Sequence, residues 1–409
     1  MLVDPYRRVT VRPVGRRFRL DLNEISGSIG DLATFLPLAI GLISINGVNA
    51  TSLFLSTGLA YIAAGLYYGL PMPVQPLKAT SAIAIALAVG PDAVSAAAFW
   101  MGVIFILLSL FDLRGIFGRI FTRPIVRGIQ LGLGVLLVKG GGKAIFRGSD
   151  PAIAGMASSP VLYAVALAIG SAGILLLSRK SRRYPAALAV TIFGLLCGLL
   201  ASSSGALSSP AMGWIAPKWG VPADADLYTV LVVLLLPQIP LTFANSVVAT
   251  AETSRQYFGE GARRVTIRSL SASLGFANLF AGLIGGMPVC HGSGGLTAHY
   301  RFGARGGGAN LFIGGLFVAL ALLFGRSIPE IFGLLPSPVL GVLLVYVGFE
   351  HARLIRDVLE VSHELAVALS IGIMTLLTGN LGIAFMTGIV LNAIGGKLLK
   401  PMIQGDSPR

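Results

Sequence analysis

Between Gly286 and Gly308 the chain reads GMPVCHGSGGLTAHYRFGARGGG: a proline interrupts a hydrophobic region, and small residues, two histidines and two arginines follow. A run of that kind can bind anions. Consecutive backbone amides at a turn or helix start form a nest that holds an anion without needing a full positive charge. Gly292, Gly294 and Gly295 let the backbone approach a ligand, and Ser293 can cap the helix or bind. Upstream, Pro71–Ala79 reads PMPVQPLKA, and an offset of 215 residues superposes Met72-Pro73-Val74 on Met287-Pro288-Val289. The same interruption therefore occurs twice. Two Pro/Gly-broken apolar segments at corresponding places in two halves point to the substrate site of a transporter.

In the first interruption Pro76 stands near the first turn of a half-helix, where its missing N–H would have had no helical partner. The amides of Leu77, Lys78 and Ala79 are then left to face a ligand at mid-membrane, where a helix N-terminus attracts anions. Lys78 is the sharpest single residue. Burying a lysine at bilayer depth costs at least about 3 kcal/mol, so it reads either as an anion ligand or as a side chain that snorkels or pairs with Asp31. Gln75 offers donors and an acceptor beside it. In Leu234–Ala251, LLLPQIPLTFANSVVATA, two prolines enclose Gln238, while Thr242, Asn245, Ser246 and Thr250 share one side of a helix. Either that stripe hydrogen-bonds between helices, or it lines a polar cavity with Gln238, Thr242 and Asn245 as ligands. Asp31 is either interfacial and solvated or an ion-coupling acid, and His291 is either a ligand or proton carrier or a structural residue. His291 and His299, eight residues apart, lie roughly 12 Å from each other on a helix, so one metal cannot bridge them. No metal or cofactor is expected.

These residues must be positioned by membrane helices. The 409 residues are 55% hydrophobic and only 12% charged, with a mean hydropathy of +0.82, against roughly 25% charged in a soluble domain. The net charge of +14 sits in short loops between apolar spans rather than on one polar face, which excludes a nucleic-acid partner. Cys197 and Cys290 both lie in apolar surroundings, so neither a disulfide framework nor a Cys-based zinc site is expected. The first 25 residues carry six arginines and do not read as a cleaved signal peptide. A polytopic all-α membrane protein follows, with spans near 28–46, 51–70, 76–89, 92–112, 124–140, 160–178 and 185–202, then 228–250, 265–285, 289–299, 310–325, 334–349, 364–378 and 380–399. The chain divides into a basic cytoplasmic tail (1–27), a first repeat of seven spans (28–202), an extracytoplasmic loop (203–227), a second repeat of seven (228–400) and a short cytoplasmic tail (401–409). With both termini in the cytoplasm of the cell membrane, 25 of the 31 Lys and Arg fall on that side, as the positive-inside rule requires. The opposite side holds Lys139, Lys143, Arg147, Lys218 and Arg326, and the loop from Lys139 to Arg147 is basic on the wrong side. Seven spans per half give the halves opposite topology, as inverted repeats have. Glu350–Glu364, EHARLIRDVLEVSHE, reads as an amphipathic cytoplasmic helix with solvated Glu/His pairs.

The segments PMPVQPLKA and GGMPVCHGSGGLTAHYRFGAR, with GDLATFLPL and PQIPLTFANS, resemble the molybdate transporter family, a branch of the sulfate permease superfamily. The resemblance covers nearly the whole membrane region. It implies about 14 transmembrane segments as two inverted seven-helix repeats forming core and gate domains, with an oxyanion held between half-helices that begin near Pro76 and Gly292 after short extended segments. It differs from ordinary sulfate permeases in three ways: no STAS domain follows Lys400, Asn245 stands where many have an acid, and Leu296 stands where related carriers place an arginine. Lys78 then supplies the missing charge. Moving a dianion inward against 100 mV costs about 4.6 kcal/mol, so import requires a co-transported cation such as H⁺, with Asp31 and His291 as candidate carriers. The expected function is secondary active import of molybdate, with sulfate or tungstate as further substrates. A sulfate or other anion carrier, or a passive anion channel, stays open as an alternative. A nucleobase permease is less favoured, since it would want acids where Asn245 and Cys290–Thr297 have none. No paired acid/base constellation marks an enzyme. The partners implied are the oxyanion and membrane lipid, with a homodimer left open.

Overall fold

The computed structural model describes residues 18–30, 32–111, 122–146, 160–178, 186–201 and 211–403, with the side chains of Ala33, Pro160 and residues 395–403 left out; Asp31 lies outside these residues. Helices α1 (Leu22–Ile29), α2 (Leu32–Ser44) and α3 (Ala50–Tyr68) lead to a two-residue strand β1 (Gln75–Pro76) and the short α4 (Lys78–Leu87). Then come α5 (Pro91–Leu110), α6 (Arg123–Ile145), α7 (Pro160–Ser178) and α8 (Ala186–Ala201). The second half opens with a broken helix: a π-helical α9 (Thr229–Leu235), α10 (Gln238–Leu241), a second π-helical stretch α11 (Thr242–Val248) and α12 (Ala249–Phe258). It continues with α13 (Ile267–Leu283), strand β2 (Val289–Cys290), the short α14 (Ser293–Arg301), α15 (Gly308–Phe324), α16 (Ile328–Gly333), α17 (Ser337–Ala352), α18 (Ser362–Thr378) and α19 (Leu381–Ile403).

Local chemistry sets several boundaries. Asn49 starts α3 by accepting the Ser52 amide, and Gly69, at φ 67°, ends it in the left-handed conformation that glycine adopts without strain. Pro91 occupies the first turn of α5, and a Thr266/Ser269 capping box opens α13. Each of the fourteen apolar stretches expected to be helical contains a helix. Among the described residues, five helices are long and apolar enough to cross a membrane, or up to seven when two bent pairs are each counted as one span. α4 and α14, of 10 and 9 residues, are too short to cross alone, and each begins just after a two-residue strand.

The helices pack in two groups. In one, α3 lies along α15 and α5 along α13, and in the other α6 lies along α17 and α18, with α18 against α19. Small residues permit the close approach. A methyl group on Gly58 would come 2.8 Å from the Gly314 carbonyl oxygen, and one on Gly141 would come 2.5 Å from that of Gly341. The group that contains α3 is also pinned from its N-terminal end. Glu24 of α1 is buried, its Oε1 accepting the Arg305 and Gly306 amides and its Oε2 that of Ala309 at the start of α15.

The loop before α9 runs over helix ends: Gly213 exchanges backbone bonds with Leu323 and Arg326, and Gly220 donates to Leu283. Trp214 and Trp219 are exposed on it. Lys218 donates to Asp92 at 2.9 Å, which holds its ammonium above the usual lysine range. The stretch expected to be one amphipathic cytoplasmic helix is instead three pieces. α17 continues to Ala352, a 3₁₀ segment spans Arg353–Val358, and α18 starts at Ser362. Arg123 and Arg127 of α6 both hold Asp357 of the middle piece.

Candidate functional site

At the centre, β1 and β2 pair antiparallel, Gln75 opposite Cys290 and Pro76 opposite Val289. The offset that superposes the two Met-Pro-Val motifs also carries Gln75 onto Cys290, so one interruption pairs with its own counterpart in the other half. Extended backbone inside apolar surroundings must find every hydrogen bond within the protein. Two asparagines supply many of them. Asn278 of α13 accepts from the Val289 amide and donates to the Val289 carbonyl, each at 2.8 Å. Asn310 of α15 donates to Met72 O at 2.7 Å and to Tyr61 O at 3.0 Å. Sequence reasoning passed over both; their only signal was a lone asparagine in an apolar run.

His291 belongs to this scaffold. Its Nδ1 is 2.8 Å from Pro73 O, and since a carbonyl only accepts, Nδ1 donates. Its Nε2 is 3.0 Å from Ser273 Oγ, which is 2.8 Å from the Tyr68 hydroxyl, and its carbonyl accepts from Thr250 at 2.6 Å. The ring is committed to protein on both sides. It also borders an apolar cavity of about 560 Å³ between α3 and α13 that includes neither Lys78 nor Gly294.

The second half-helix, α14, starts where the candidates converge. Gly292 caps it so tightly that a methyl group there would lie 2.8 Å from Gln75 Oε1 and 3.3 Å from Asn245 Nδ2. Ser293 Oγ donates to Asn245 Oδ1 at 2.6 Å. The Gly295 and Leu296 amides turn back to Gly292 O, at 3.0 and 3.2 Å. The expected nest of four amides thus narrows: among the described residues, those of Ser293 and Gly294 donate to no protein group. Gly294 is exposed, and nothing stands within 4 Å of where its Cβ would be. Space is therefore open beside the residue that carries one of the unpaired amides.

The first half-helix, α4, is arranged differently from expectation. The Leu77 amide donates to Pro288 O at 2.9 Å, and those of Ala79 and Thr80 both donate to Gln238 Oε1, at 2.7 and 3.0 Å. Of the three amides expected to face a ligand, only that of Lys78 has no protein acceptor among the described residues. The reason is tertiary: a glutamine 158 positions beyond Thr80 fills the cap that the local sequence leaves empty. Gln238 Nε2 donates in turn to Thr242 Oγ1 at 2.9 Å, and Thr80 Oγ1 donates to Leu234 O at 3.0 Å. Gln238 and Thr242 are thus tied into the protein, while Gln75, Asn245 and Ser293 surround Gly292. Lys78 is half-buried, and its side chain makes no hydrogen bond or ion pair among the described residues. The stripe from Thr242 to Thr250 runs through a π-helical stretch in a helix bent by 43°. Such insertions often mark functional sites, and no sequence period announced this one.

A family profile described as a molybdate transporter of the MFS superfamily matches residues 23–137 and 231–350. Molybdate transporter 2 of Arabidopsis thaliana is 31% identical over 380 residues, covering 84% of this chain and 81% of its own. Molybdate transporter 1 of Chlamydomonas reinhardtii is 27% identical over 475 residues, covering 91% of each. Among solved structures, the transmembrane domain of the cyanobacterial bicarbonate transporter BicA aligns with a TM-score of 0.63 at 17% identity, covering 89% of this chain and 96% of that one. The murine Solute Carrier 26 family member A9 anion transporter aligns with a TM-score of 0.66 at 15% identity, covering 94% and 70%. At such identities the structures show the fold alone. The profile spans both half-helices and the relatives span most of the chain, so this protein belongs to the molybdate transporter family: it is a membrane transporter and not an enzyme.

Proposed function

We propose that the chain is a secondary active transporter that imports molybdate by alternating access, as two inverted seven-helix repeats arranged into core and gate. The observation that carries this reading is the start of α14, where two amides donate to no protein group among the described residues, Gly294 has open space beside it, and Gln75, Asn245 and Ser293 surround Gly292. A bare dianion in a low-dielectric interior would cost tens of kcal/mol, so the site must offer many donors at once. The Ser293 and Gly294 amides, the side chains of Gln75, Asn245 and Ser293, and the Lys78 amide and ammonium provide them. Gln238 and Thr242 act behind this set, as the cap of α4 and its support. One half-helix therefore presents amides to the oxyanion, while the other presents mainly the lysine.

The inverted-repeat reading is supported by the packing, which maps onto itself when α3 exchanges with α13 and α5 with α15, and by the pairing of Gln75 with its own equivalent. Relatives named as molybdate transporters, covered over most of their length, support the substrate. The test is uptake of labelled molybdate into proteoliposomes, with sulfate, tungstate and uracil as competitors. Competition by tungstate and sulfate but not uracil is expected. Lys78→Ala should abolish uptake while leaving the protein folded, and near-normal uptake would remove the electrostatic argument. Persistence of uptake after the proton gradient is dissipated would favour a passive channel.

A further inference from the structure

The cavity of about 560 Å³ beside His291 plays no part in the oxyanion site, yet it has a definite shape. It is a groove cut by small side chains: Ala60, Ala63 and Ala64 of α3 face Ala272, Ser273 and Ala277 of α13, and side chains that short do not meet across the gap. On α3 the lining runs from Ser56 to Tyr67, and on α13 from Phe280 back to Ser269, so each helix lines it over an interval of eleven residues. At 1.5 Å per residue that is about 17 Å, close to half of the roughly 30 Å hydrocarbon core of a bilayer. Leu59, Tyr67 and Phe276 on its walls are exposed, so the groove is open on the outer face of the helix pair, where lipid would lie. A packed interior keeps few voids larger than a water molecule, and a groove of this size needs an occupant.

Its two ends differ. One lies at Ser56, whose hydroxyl is 2.8 Å from where a Cβ on Gly286 would stand, shortly before β2. The other lies at Tyr67 and Ser269, in the last turn of α3 and the first turn of α13, the helix ends that the sequence reads as cytoplasmic. There Arg264 donates from Nη1 to Tyr67 O at 2.9 Å, and its guanidinium carbon stands 6.0 Å from the Tyr67 ring centroid. Neither contact cancels its charge. Arg263 and Arg268 are exposed close by in the chain, and over residues 259–268 the three arginines stand against one acid, Glu260.

We infer that this groove holds one acyl chain of an anionic glycerophospholipid from the cytoplasmic leaflet, with the lipid phosphate at Arg264. The length of the groove suits a chain that reaches from the membrane surface to mid-bilayer. The positive end selects the head: a zwitterionic lipid offers the same chain, but its own cation offsets the attraction, whereas anionic lipids are drawn to clustered arginines at a membrane surface. The occupant also touches the scaffold of the oxyanion site. Tyr68, Ser273 and His291 line the groove, and His291 in turn donates to Pro73 O at 2.8 Å and directly precedes Gly292. A chain seated between α3 and α13 therefore braces both extended segments, and its effect on transport, which rests on the oxyanion site proposed above, is to favour uptake.

The experiment reads binding and transport separately. Native mass spectrometry of the full-length protein, after exposure in detergent to equal amounts of phosphatidylglycerol and phosphatidylcholine with the same acyl chains, counts the lipid retained. One phosphatidylglycerol per chain, kept in preference to phosphatidylcholine, is expected. Ala63→Phe, which fills the groove from its open side, should lose that lipid, and Ala272→Phe repeats the test from the facing helix should the first variant fail to fold. Arg264→Gln should retain phosphatidylglycerol about fivefold less well, the worth of one arginine near an anionic surface. Equal retention of the two lipids by wild type, or phosphatidylglycerol retained undiminished by the filled-groove variants, overturns the inference. A changed oligomeric state in those variants with lipid retention unaltered would overturn it too, by assigning the groove to a second copy of the chain. In proteoliposomes, wild-type molybdate uptake should rise when phosphatidylglycerol is added to phosphatidylcholine, and Ala63→Phe should lose that rise. Uptake by wild type that ignores the added lipid overturns the effect on transport. No molybdate uptake in any lipid, with phosphatidylglycerol still retained, removes the oxyanion reading and leaves the lipid site, whereas normal uptake with no lipid retained removes the lipid site alone.

Discussion

At the scale of single residues, glycines set the shape of the site more than charges do. Gly292 and Gly294 are two residues apart, yet a methyl group on the first would meet Gln75 and Asn245 while one on the second would meet nothing. The first glycine is demanded by the protein, and the second leaves room for something else. Gly294→Val should therefore fold with stability within about 0.5 kcal/mol of wild type, yet lose at least about tenfold in molybdate affinity, a cost of roughly 1.4 kcal/mol. Thermal unfolding and equilibrium binding on the same preparation check both halves, and unchanged affinity would show that the open space is not the ligand's. The serine between these glycines and the asparagine facing it form one unit through their 2.6 Å bond.

At the scale of elements, the two half-helices have different tips even though the same Met-Pro-Val motif precedes both. α14 starts with glycine and serine and keeps two amides unpaired, whereas α4 has two of its first-turn amides taken by Gln238 of the broken helix and keeps that of Lys78. Gln238→Leu would strand two buried amides and Thr242, at about 1–3 kcal/mol for each unsatisfied group. A fall in melting temperature is expected, together with weaker uptake as α4 loses its fixed tip. Gln238→Glu keeps an acceptor for the amides, so it should hold the fold while its charge repels the dianion. Raised half-saturation for molybdate with a near-normal melting temperature is the outcome to look for; a fall in stability as large as that of Gln238→Leu would deny the capping role.

At the scale of the whole molecule, the alternating access proposed above requires the two helix groups to move against each other. α4, which carries Lys78, packs on α6 of the second group, and there a Cβ on Gly140 would lie 3.4 Å from Cβ of Ala86, close to the 3.5–4.5 Å that disulfides adopt. The double substitution Ala86→Cys and Gly140→Cys should cross-link on oxidation, stop molybdate uptake and regain it on reduction. Cys197 and Cys290 are free cysteines in the parent chain, so uptake by that chain under the same oxidant is the control. Full transport by the cross-linked protein would mean that this contact does not open during the cycle.

Much of this was legible in the chain itself, because membrane burial writes strong signals. A helix in lipid must be apolar along its length, so the fourteen helical stretches stand out. A break in such a helix must be spelled with proline and glycine, so the repeated Met-Pro-Val motif located both half-helices with Gln75, Gly292 and Ser293 beside them, while Asn245 came from the polar stripe of the broken helix. What the chain could not show is who satisfies whom across it. That Gln238 caps α4, that Asn278 and Asn310 hold the extended segments and that His291 meets protein at both ring nitrogens all depend on residues far apart in sequence meeting in a dry interior. There each polar atom must find a partner, and the choice of partner belongs to the packing of the helices and not to any local pattern.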